Sequence, residues 1–317
     1  MEDFELEYDV QEVRLSKSFA YKVTTMANEA LPLEMLLELE TRREEISGQR
    51  LWEGSMLLCA NLLEASSSNS ESSETHLTPK GKTVLELGAG TGVVSMLAHG
   101  LGASLVVTSD GDDKCVEMVK KNFEDNGIPA RGAFATALRR WGDAESAAAF
   151  CRACGEWKEQ SHIQVATREK GGGMPGSVPD GDRTLVGNGA RASERFDNSF
   201  TAGASPSARC NEEPACLFQV LLAGDVLYKL SVIAPFLQTV EERMAPDGYL
   251  LLCHLPRAGV THEVVQEALD QASFTFRVLD LKGALAQDAG GVYKIGGVEL
   301  CPNDARRARL YVVRRKD

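Results

Sequence analysis

The chain has 317 residues, of which 43% are hydrophobic, with 34 Lys and Arg against 46 Asp and Glu for a net charge of −12. That length allows one large domain or two small ones, with apolar content for a sizeable core. The acidic balance argues against tight binding to nucleic acid, which needs a basic surface to displace counterions, and no apolar run of about eighteen residues marks a transmembrane helix.

The N-terminus, Met1-Glu-Asp-Phe-Glu-Leu-Glu7, is acidic and lacks the basic start and apolar core of a signal peptide. The expected location is therefore cytoplasmic or nuclear, with the eight cysteines mostly reduced. A strand is expected from Tyr8 to Leu15, then a helical stretch through Met35 to Thr41, then Gly48-Gln-Arg-Leu-Trp52 and an apolar helix from Trp52 to Leu63. Residues 66–75, rich in Ser, Asn, Glu and Thr, read as a solvated loop.

Residues 83–92 read Thr-Val-Leu-Glu-Leu-Gly-Ala-Gly-Thr-Gly. Val84, Leu85 and Leu87 make a short buried strand, Gly88, Gly90 and Gly92 alternate in a turn, and Val93, Val94, Met96, Leu97 and Leu101 recur at helical spacing. Strand, glycine turn and helix form the unit that lets backbone approach a nucleotide-like ligand. The third glycine of the dinucleotide fingerprint is missing, since its place falls at Val93, and the Gly-Lys-Ser/Thr of a phosphate-gripping loop is absent. The pattern Glu86-x-Gly-x-Gly-x-Gly92 suits a ligand without pyrophosphate, such as S-adenosylmethionine, and Asp110, after the apolar run Leu105 to Val107, can accept hydrogen bonds from both ribose hydroxyls. A tight strand-to-helix turn with no ligand is the alternative.

Asp112 to Asn126 is expected to be a helix with the stripe Val116, Val119 and Phe123, followed by Leu138-Arg-Arg-Trp141-Gly142. Residues 143–215 carry Gly171-Gly-Gly, Pro175, Pro179 and many polar residues, and apolar spacing is lost after about Trp157. This region reads as a largely disordered insertion. Cys151 and Cys154 form a C-x-x-C, but Cys210 and Cys216 are a poor second pair for zinc, so no metal is expected. Alternating order resumes with a strand at Leu217–Ala223, a helix at Ser231–Met244, a strand at Tyr249–Cys253, a helix at Thr261–Ala272, and closing strands at Phe274–Leu281 and Arg309–Val313. The basic cluster Arg306, Arg307, Arg309, Arg314, Arg315 and Lys316 reads as a solvated edge strand, with a binding patch as the alternative. The expected fold is a Rossmann-like, doubly wound α/β sheet of seven strands with a closing antiparallel strand. Residues 1–82 would be an N-terminal extension, and 83–317 one domain interrupted at 143–215.

In such sheets ligands lie beyond the carboxyl ends of the strands, so Asp225 and Tyr228, in Gly224-Asp-Val-Leu-Tyr228, should face the same cleft as the glycines. An acid and a phenol three residues apart can converge on one amine, the ring offering a face to a cationic nitrogen. A helix-capping Asp225 with a core Tyr228 is the alternative.

Four features occur in order: Gly48-x-x-Leu-Trp52, Glu86-Leu-Gly-x-Gly-x-Gly92, Leu138-x-x-Trp141-Gly142 and Asp225-x-x-Tyr228. Together they resemble the seven-strand S-adenosylmethionine-dependent methyltransferases of family 16, the protein-lysine methyltransferase group, over about residues 45–142 and 217–255. The resemblance implies that Trp52 and Trp141 border the cofactor, Trp141 near the adenine. Gly88, Ala89 and Gly90 would pack on its amino-acid part, Glu86 and Gly92 complete the cofactor-binding set, Asp110 hold the ribose, and Gly224 lie against the cofactor. Asp225 and Tyr228 would stand at the acceptor lysine of a protein substrate. Apart from the resemblance, a monomer is expected, with no membrane partner and, from the acidic balance, no nucleic-acid partner. A small-molecule amine, a different protein side chain, or a non-enzymatic adaptor on the same fold are the alternatives.

Overall fold

The computed structural model describes residues 7–27, 46–67, 77–129, 132–137, 141–169, 216–272, 274–279, 281, 293–295, 298–300 and 306–316. The expected helical stretch at 35–41, most of the loop at 66–75, the residues Leu138 to Arg140, and the insertion from 170 to 215 lie outside them.

An antiparallel hairpin comes first, β1 (Tyr8–Arg14) and β2 (Ala20–Met26). A 3-10 turn (Ile46–Gln49) leads into helix α1 (Glu53–Ser67). Alternation follows: β3 (Thr83–Leu87), α2 (Val93–Gly100), β4 (Leu105–Asp110), α3 (Asp113–Asp125), β5 (Ala133–Ala137), α4 (Ala144–Glu169), β6 (Phe218–Gly224), α5 (Ile233–Arg243), β7 (Met244–His254), α6 (His262–Gln271) and β8 (Phe274–Leu279). A small hairpin, β9 (Tyr293–Ile295) and β10 (Val298–Leu300), precedes β11 (Arg309–Arg315).

Seven strands form one sheet in the order β5-β4-β3-β6-β7-β11-β8. The pairs from β5 to β7 are parallel, and β11 is antiparallel to both β7 and β8. The chain builds outward from β3 to β5, then returns to the other side of β3 with β6. That reversal opens a crevice at the carboxyl ends of β3 and β6, where ligands bind in open α/β sheets.

Strand alternation sorts the core into two layers, one on each face. Val220 and Leu222 of β6, Leu251 and Cys253 of β7, and Leu310 and Val312 of β11 enter one cluster. Their neighbours Leu221, Ala223, Leu250, Leu252, Tyr311 and Val313 enter the other. Each fully buried aliphatic side chain of this kind stabilises the fold by roughly 1.5–3 kcal/mol.

The described residues of the N-terminal stretch pack into the core of the sheet. Val13 and Val23 of the hairpin and Met56, Leu58 and Leu62 of α1 are fully buried in the same cluster as Val84. Side chains of α3 also pin the hairpin: Asn122 Oδ1 accepts from Thr24 N at 2.8 Å, and Asn126 bridges both backbone groups of Lys22. Two asparagines one helical turn apart thus stand in for a neighbouring strand.

By contacts the chain divides into two compact units, Met1–Trp157 with Ala215–Asp317, and Lys158–Pro214. Within the second, the described residues continue helix α4 to Glu169. The stretch after 143 is helical where irregular chain was expected, because Phe150 and Cys154, one turn apart, are buried in the core of the first unit.

β11 also corrects an expectation. It is interior, paired on both sides, with Leu310 to Val313 buried. Its flanking cations are engaged with the protein: Arg315 donates to Met244 O at 2.8 Å, Lys316 to Asp270 O at 2.9 Å, and Arg307 to Pro256 O at 3.1 Å.

Candidate active site

Gly88, Gly90 and Gly92 have φ of 66°, 56° and 76°, a left-handed series that side chains with a Cβ rarely adopt. Close approach adds a second requirement. A Cβ on Gly88 would lie 2.8 Å from Val226 Cγ1, and one on Gly90 only 2.4 Å from the carbonyl oxygen of Gly48. The turn carrying Gly48 is held over Gly90 by Gln49, whose backbone oxygen accepts from Thr25 Oγ1 at 3.1 Å and whose amide donates to Asp112 Oδ2 at 3.1 Å. Ala89 is buried, and its N–H donates to Ser109 O at 3.1 Å. Gly92 starts α2 and packs against Val119.

Asp110 ends β4 beside this loop. Its Oδ2 accepts from Gly90 N at 2.8 Å, and its Oδ1 from Asp112 N at 3.0 Å. Burial raises its pKa, with those amide bonds opposing. Asp112, the other acid of the Asp-Gly-Asp sequence, caps α3 by accepting from Lys114 N at 2.9 Å. Each carboxylate oxygen of Asp110 has a second lone pair to offer.

Glu86 does not reach this loop's surface. It is 2% exposed, and its carboxylate accepts from both the backbone N–H and the hydroxyl of Ser95 on α2. It ties β3 to α2 and so fixes the glycine turn between them. Burial pushes its pKa up to about 8, against the downward pull of the Ser95 bonds. Between the ordinary value of 4.5 and about 8, the folded protein holds a proton that the unfolded chain has released, so this acid's contribution to stability is lost as pH rises through that window. Glu86→Gln should therefore equal wild type in melting temperature at the acid end and exceed it at the alkaline end. Parallel melting curves across the window would contradict the assignment.

The second group gathers at the end of β6. Gly224 and Asp225 press against the start of α1: a Cβ on Gly224 would lie 2.8 Å from Ser55 Cα, and one on Gly54 2.7 Å from Asp225 Cβ. Asp225 has φ of 59°, its N–H donates to Cys253 O at 2.8 Å, and its side chain is 2% exposed. Its carboxylate accepts two bonds from Arg257, Nη2 to Oδ2 at 2.8 Å and Nε to Oδ1 at 3.3 Å. The Arg257 guanidinium also reaches Glu53 Oε2 at 3.5 Å and lies 4.8 Å from the centre of the Trp52 ring. Tyr228 is half-buried, with Lys229 Nζ 5.1 Å from its ring centre.

The two groups meet through Val226, which follows Asp225 and packs on Gly88. Trp141 stands at the same place, its ring edge 3.4 Å from the position of a Cβ on Gly88, and it packs edge-on against Phe236 at 5.1 Å between ring centres. The sequence-derived residues Gly88, Ala89, Gly90, Asp110, Trp141, Gly224 and Asp225 thus converge on the carboxyl ends of β3, β4 and β6. The Trp52 ring lies against the Arg257 guanidinium. Glu53 and Arg257 were missed, because nothing in the local sequence around Arg257 marks it; only the adjacency of β7 to β6 brings it to Asp225. Among the described residues no three His, Cys, Asp or Glu gather as a metal site. Cys151 of the C-x-x-C accepts from Arg243 Nη1 at 2.9 Å.

A family model described as lysine methyltransferase matches residues 33–151. The ribosomal protein L11 methyltransferase of Thermotoga petrophila is 38% identical over 64 residues, 20% of this chain and 22% of that protein. The protein-lysine N-methyltransferase EFM3 of Chaetomium thermophilum is 41% identical over 66 residues, 20% of each chain. The matched segment spans about a fifth of the length of these curated relatives. Among solved structures, the ribosomal protein L11 methylase of Lactobacillus delbrueckii subsp. bulgaricus aligns over 96% of this chain and 99% of that one, with a TM-score of 0.42 and 13% identity.

Proposed function

From a chain whose residues 33–151 match the lysine methyltransferase family model, we propose an S-adenosylmethionine-dependent enzyme that methylates a lysine side chain of a protein substrate. The observation that carries this is the meeting, through Gly88 and Val226, of a cofactor-type glycine loop with the buried Asp225 carboxylate. The residues present fit the cofactor. Three left-handed glycines leave backbone where side chains would intrude, Asp110 offers a carboxylate beside the loop, and the Trp141 ring borders Gly88.

When bound, S-adenosylmethionine supplies a methyl group already activated on a sulfonium. The chain's own residues have two tasks. Asp110 accepts hydrogen bonds from ribose hydroxyls, while the Gly88–Gly90 backbone and Trp141 hold the remainder. Asp225 and Tyr228 orient the acceptor nitrogen. A lysine amine has a pKa near roughly 10.4 and is mostly protonated at neutral pH, so it must be desolvated and release its proton to water before it can attack. Holding it in near-attack geometry supplies much of the acceleration. Asp225 acts as an orienting acceptor.

The cytoplasm, or alternatively the nucleus, suits this reading, in keeping with the free thiols of Cys59, Cys154 and Cys253. The test is incubation of the protein with tritiated S-adenosylmethionine and cell lysate, resolved on a gel. Label in a protein band is expected. Label only in the small-molecule filtrate would point to a free amine acceptor, and failure to bind the cofactor at all would point to an adaptor.

A further inference from the structure

The Gly48-x-x-Leu-Trp52 motif carries a buried glutamine that neither its glycine nor its tryptophan explains: Gln49 is 1% exposed. Its carboxamide stands between the β1–β2 hairpin and the turn after β4. Nε2 donates to Asp112 Oδ2 at 3.1 Å, and Oε1 accepts from the Tyr8 hydroxyl on β1. A carboxylate only accepts, so Asp112 dictates which end of the amide faces it, and Tyr8 supplies the donor that the other end then needs. Burial, with Asp112 and Cys115 adding to it, raises the Tyr8 pKa, so the phenol keeps its proton near neutrality. On the main chain, Gln49 O accepts from Oγ1 of the buried Thr25 on β2 at 3.1 Å.

Asp112 is held at both oxygens. Oδ1 accepts from Lys114 N at 2.9 Å, and Oδ2 takes the Gln49 amide together with a longer contact from Cys115 Sγ at 3.6 Å. So held, Asp112 presents its own N–H to Asp110 Oδ1 at 3.0 Å, while Gly90 N donates to Asp110 Oδ2 at 2.8 Å. Tyr8, Gln49, Asp112, Asp110 and Gly90 thus form one hydrogen-bonded line from β1 to the glycine turn. Gly48, beside the glutamine, closes over Gly90 on one side, and on the other its own Cβ would meet Cys115 Sγ at 2.9 Å. A second tie runs in parallel, because Asn122 Nδ2 donates to Thr91 O of the glycine turn at 2.9 Å and to Thr24 O of β2 at 3.3 Å. Asn126, one helical turn on, spends its amide on Lys22, Met96 and Asn122 O.

We propose that Gln49 is a positioning residue for the cofactor site: it transmits the placement of the β1–β2 hairpin through Asp112 to the ribose-holding carboxylate of Asp110. This deepens the function proposed above and rests on its cofactor. A carboxylate receives two hydroxyls well only in a fixed orientation, and Asp110 takes its orientation from the two N–H groups at the end of this line. Coupling of this kind is reciprocal, so bound cofactor should in turn order the hairpin.

The probe is S-adenosylmethionine itself, with affinity read by calorimetry and hairpin order by amide hydrogen exchange, so no methyl transfer is needed. Gln49→Met keeps the volume and loses both side-chain bonds, and it should weaken cofactor binding at least about tenfold. Tyr8→Phe, at a position 42% exposed, removes only the far donor and should weaken binding about threefold. In the Gln49→Met background Tyr8→Phe should cost nothing further, since its effect passes through the glutamine. Asn126→Ala is the control for mere loosening of the hairpin. It should lower the melting temperature at least as much as Tyr8→Phe does, yet leave cofactor affinity unchanged. In wild type, saturating cofactor should slow exchange of the β1 and β2 amides at least about threefold. In Gln49→Met that slowing should vanish from the hairpin and persist at residues 88–92. Should Gln49→Met fail to fold, Tyr8→Phe against Asn126→Ala decides the matter. Affinities that simply follow melting temperature across the single variants, or additive losses in the double variant, would overturn the inference alone. A wild type that binds no S-adenosylmethionine would overturn it together with the function proposed above.

Discussion

Asp225→Asn is expected to lower methyl transfer by at least about a hundredfold while leaving S-adenosylmethionine affinity within about threefold. Asparagine is the informative replacement because residue 225 has φ of 59°, and Asn is among the few side chains that tolerate the left-handed region. It also keeps an oxygen facing Arg257, where alanine would remove both bonds that the guanidinium donates to residue 225. Loss of the charge should cost about 1–3 kcal/mol of stability, since a partner of a charge-assisted pair is weakened but not removed. The measurements are calorimetric titration with the cofactor and initial rates of tritium transfer. The separation of the two effects follows from the fold: Asp225 leaves β6 against Ser55 and Gly54 of α1, whereas the glycine loop leaves β3 beneath Gly48. Equal turnover in variant and wild type would remove Asp225 from the acceptor site.

Gly90→Ala should have the opposite signature, weakening cofactor binding by at least about tenfold. One carbon is enough, because it would stand 2.4 Å from the Gly48 carbonyl oxygen, a backbone atom that can yield only if the whole turn moves. That turn is tied through Gln49 to both the hairpin and Asp112, so its displacement would also disturb the Gly90 N–H that orients Asp110. Gly127→Ala is the matched control. Gly127 has φ of 65°, but a Cβ there meets nothing within 4 Å. It should cost about 1 kcal/mol of stability through backbone strain alone and leave cofactor affinity unchanged. If both variants bind the cofactor like wild type, the glycine loop is a tight turn and no more.

The cofactor half of this site was legible because its determinants are local. A strand of five residues, a glycine turn and a helix succeed one another within twenty positions, and Asp110 follows one strand later. Asp225-x-x-Tyr228 was legible for the same reason, as a short motif at a strand end. Arg257 was not, because it reaches Asp225 across thirty-two positions and Glu53 across two hundred and four, a closure that only the order of β6 and β7 creates. The tie from Glu86 to the following helix was not legible, because an acid within a glycine motif reads as a ligand contact. Its partner, Ser95, lies on the helix beyond the turn, and full burial between them was visible only in the fold. The hairpin followed a similar rule. The apolar stripe of α3 was readable from Val116, Val119 and Phe123, but the opposite duty of Asn122 and Asn126, holding β2 by its backbone, leaves no periodic trace. Helix α4 was read as insertion because its apolar anchors, Phe150 and Cys154, sit in an alanine-rich stretch that soon turns polar.

The most direct measurement is mass spectrometry of lysate proteins treated with S-adenosylmethionine bearing a deuterated methyl group. The expected result is heavy methyl on the side-chain nitrogen of lysine in at least one protein, present with wild type and absent with Asp225→Asn. Heavy methyl on another side chain, or on no protein while the cofactor binds, would contradict a lysine-methylating site built on Asp225.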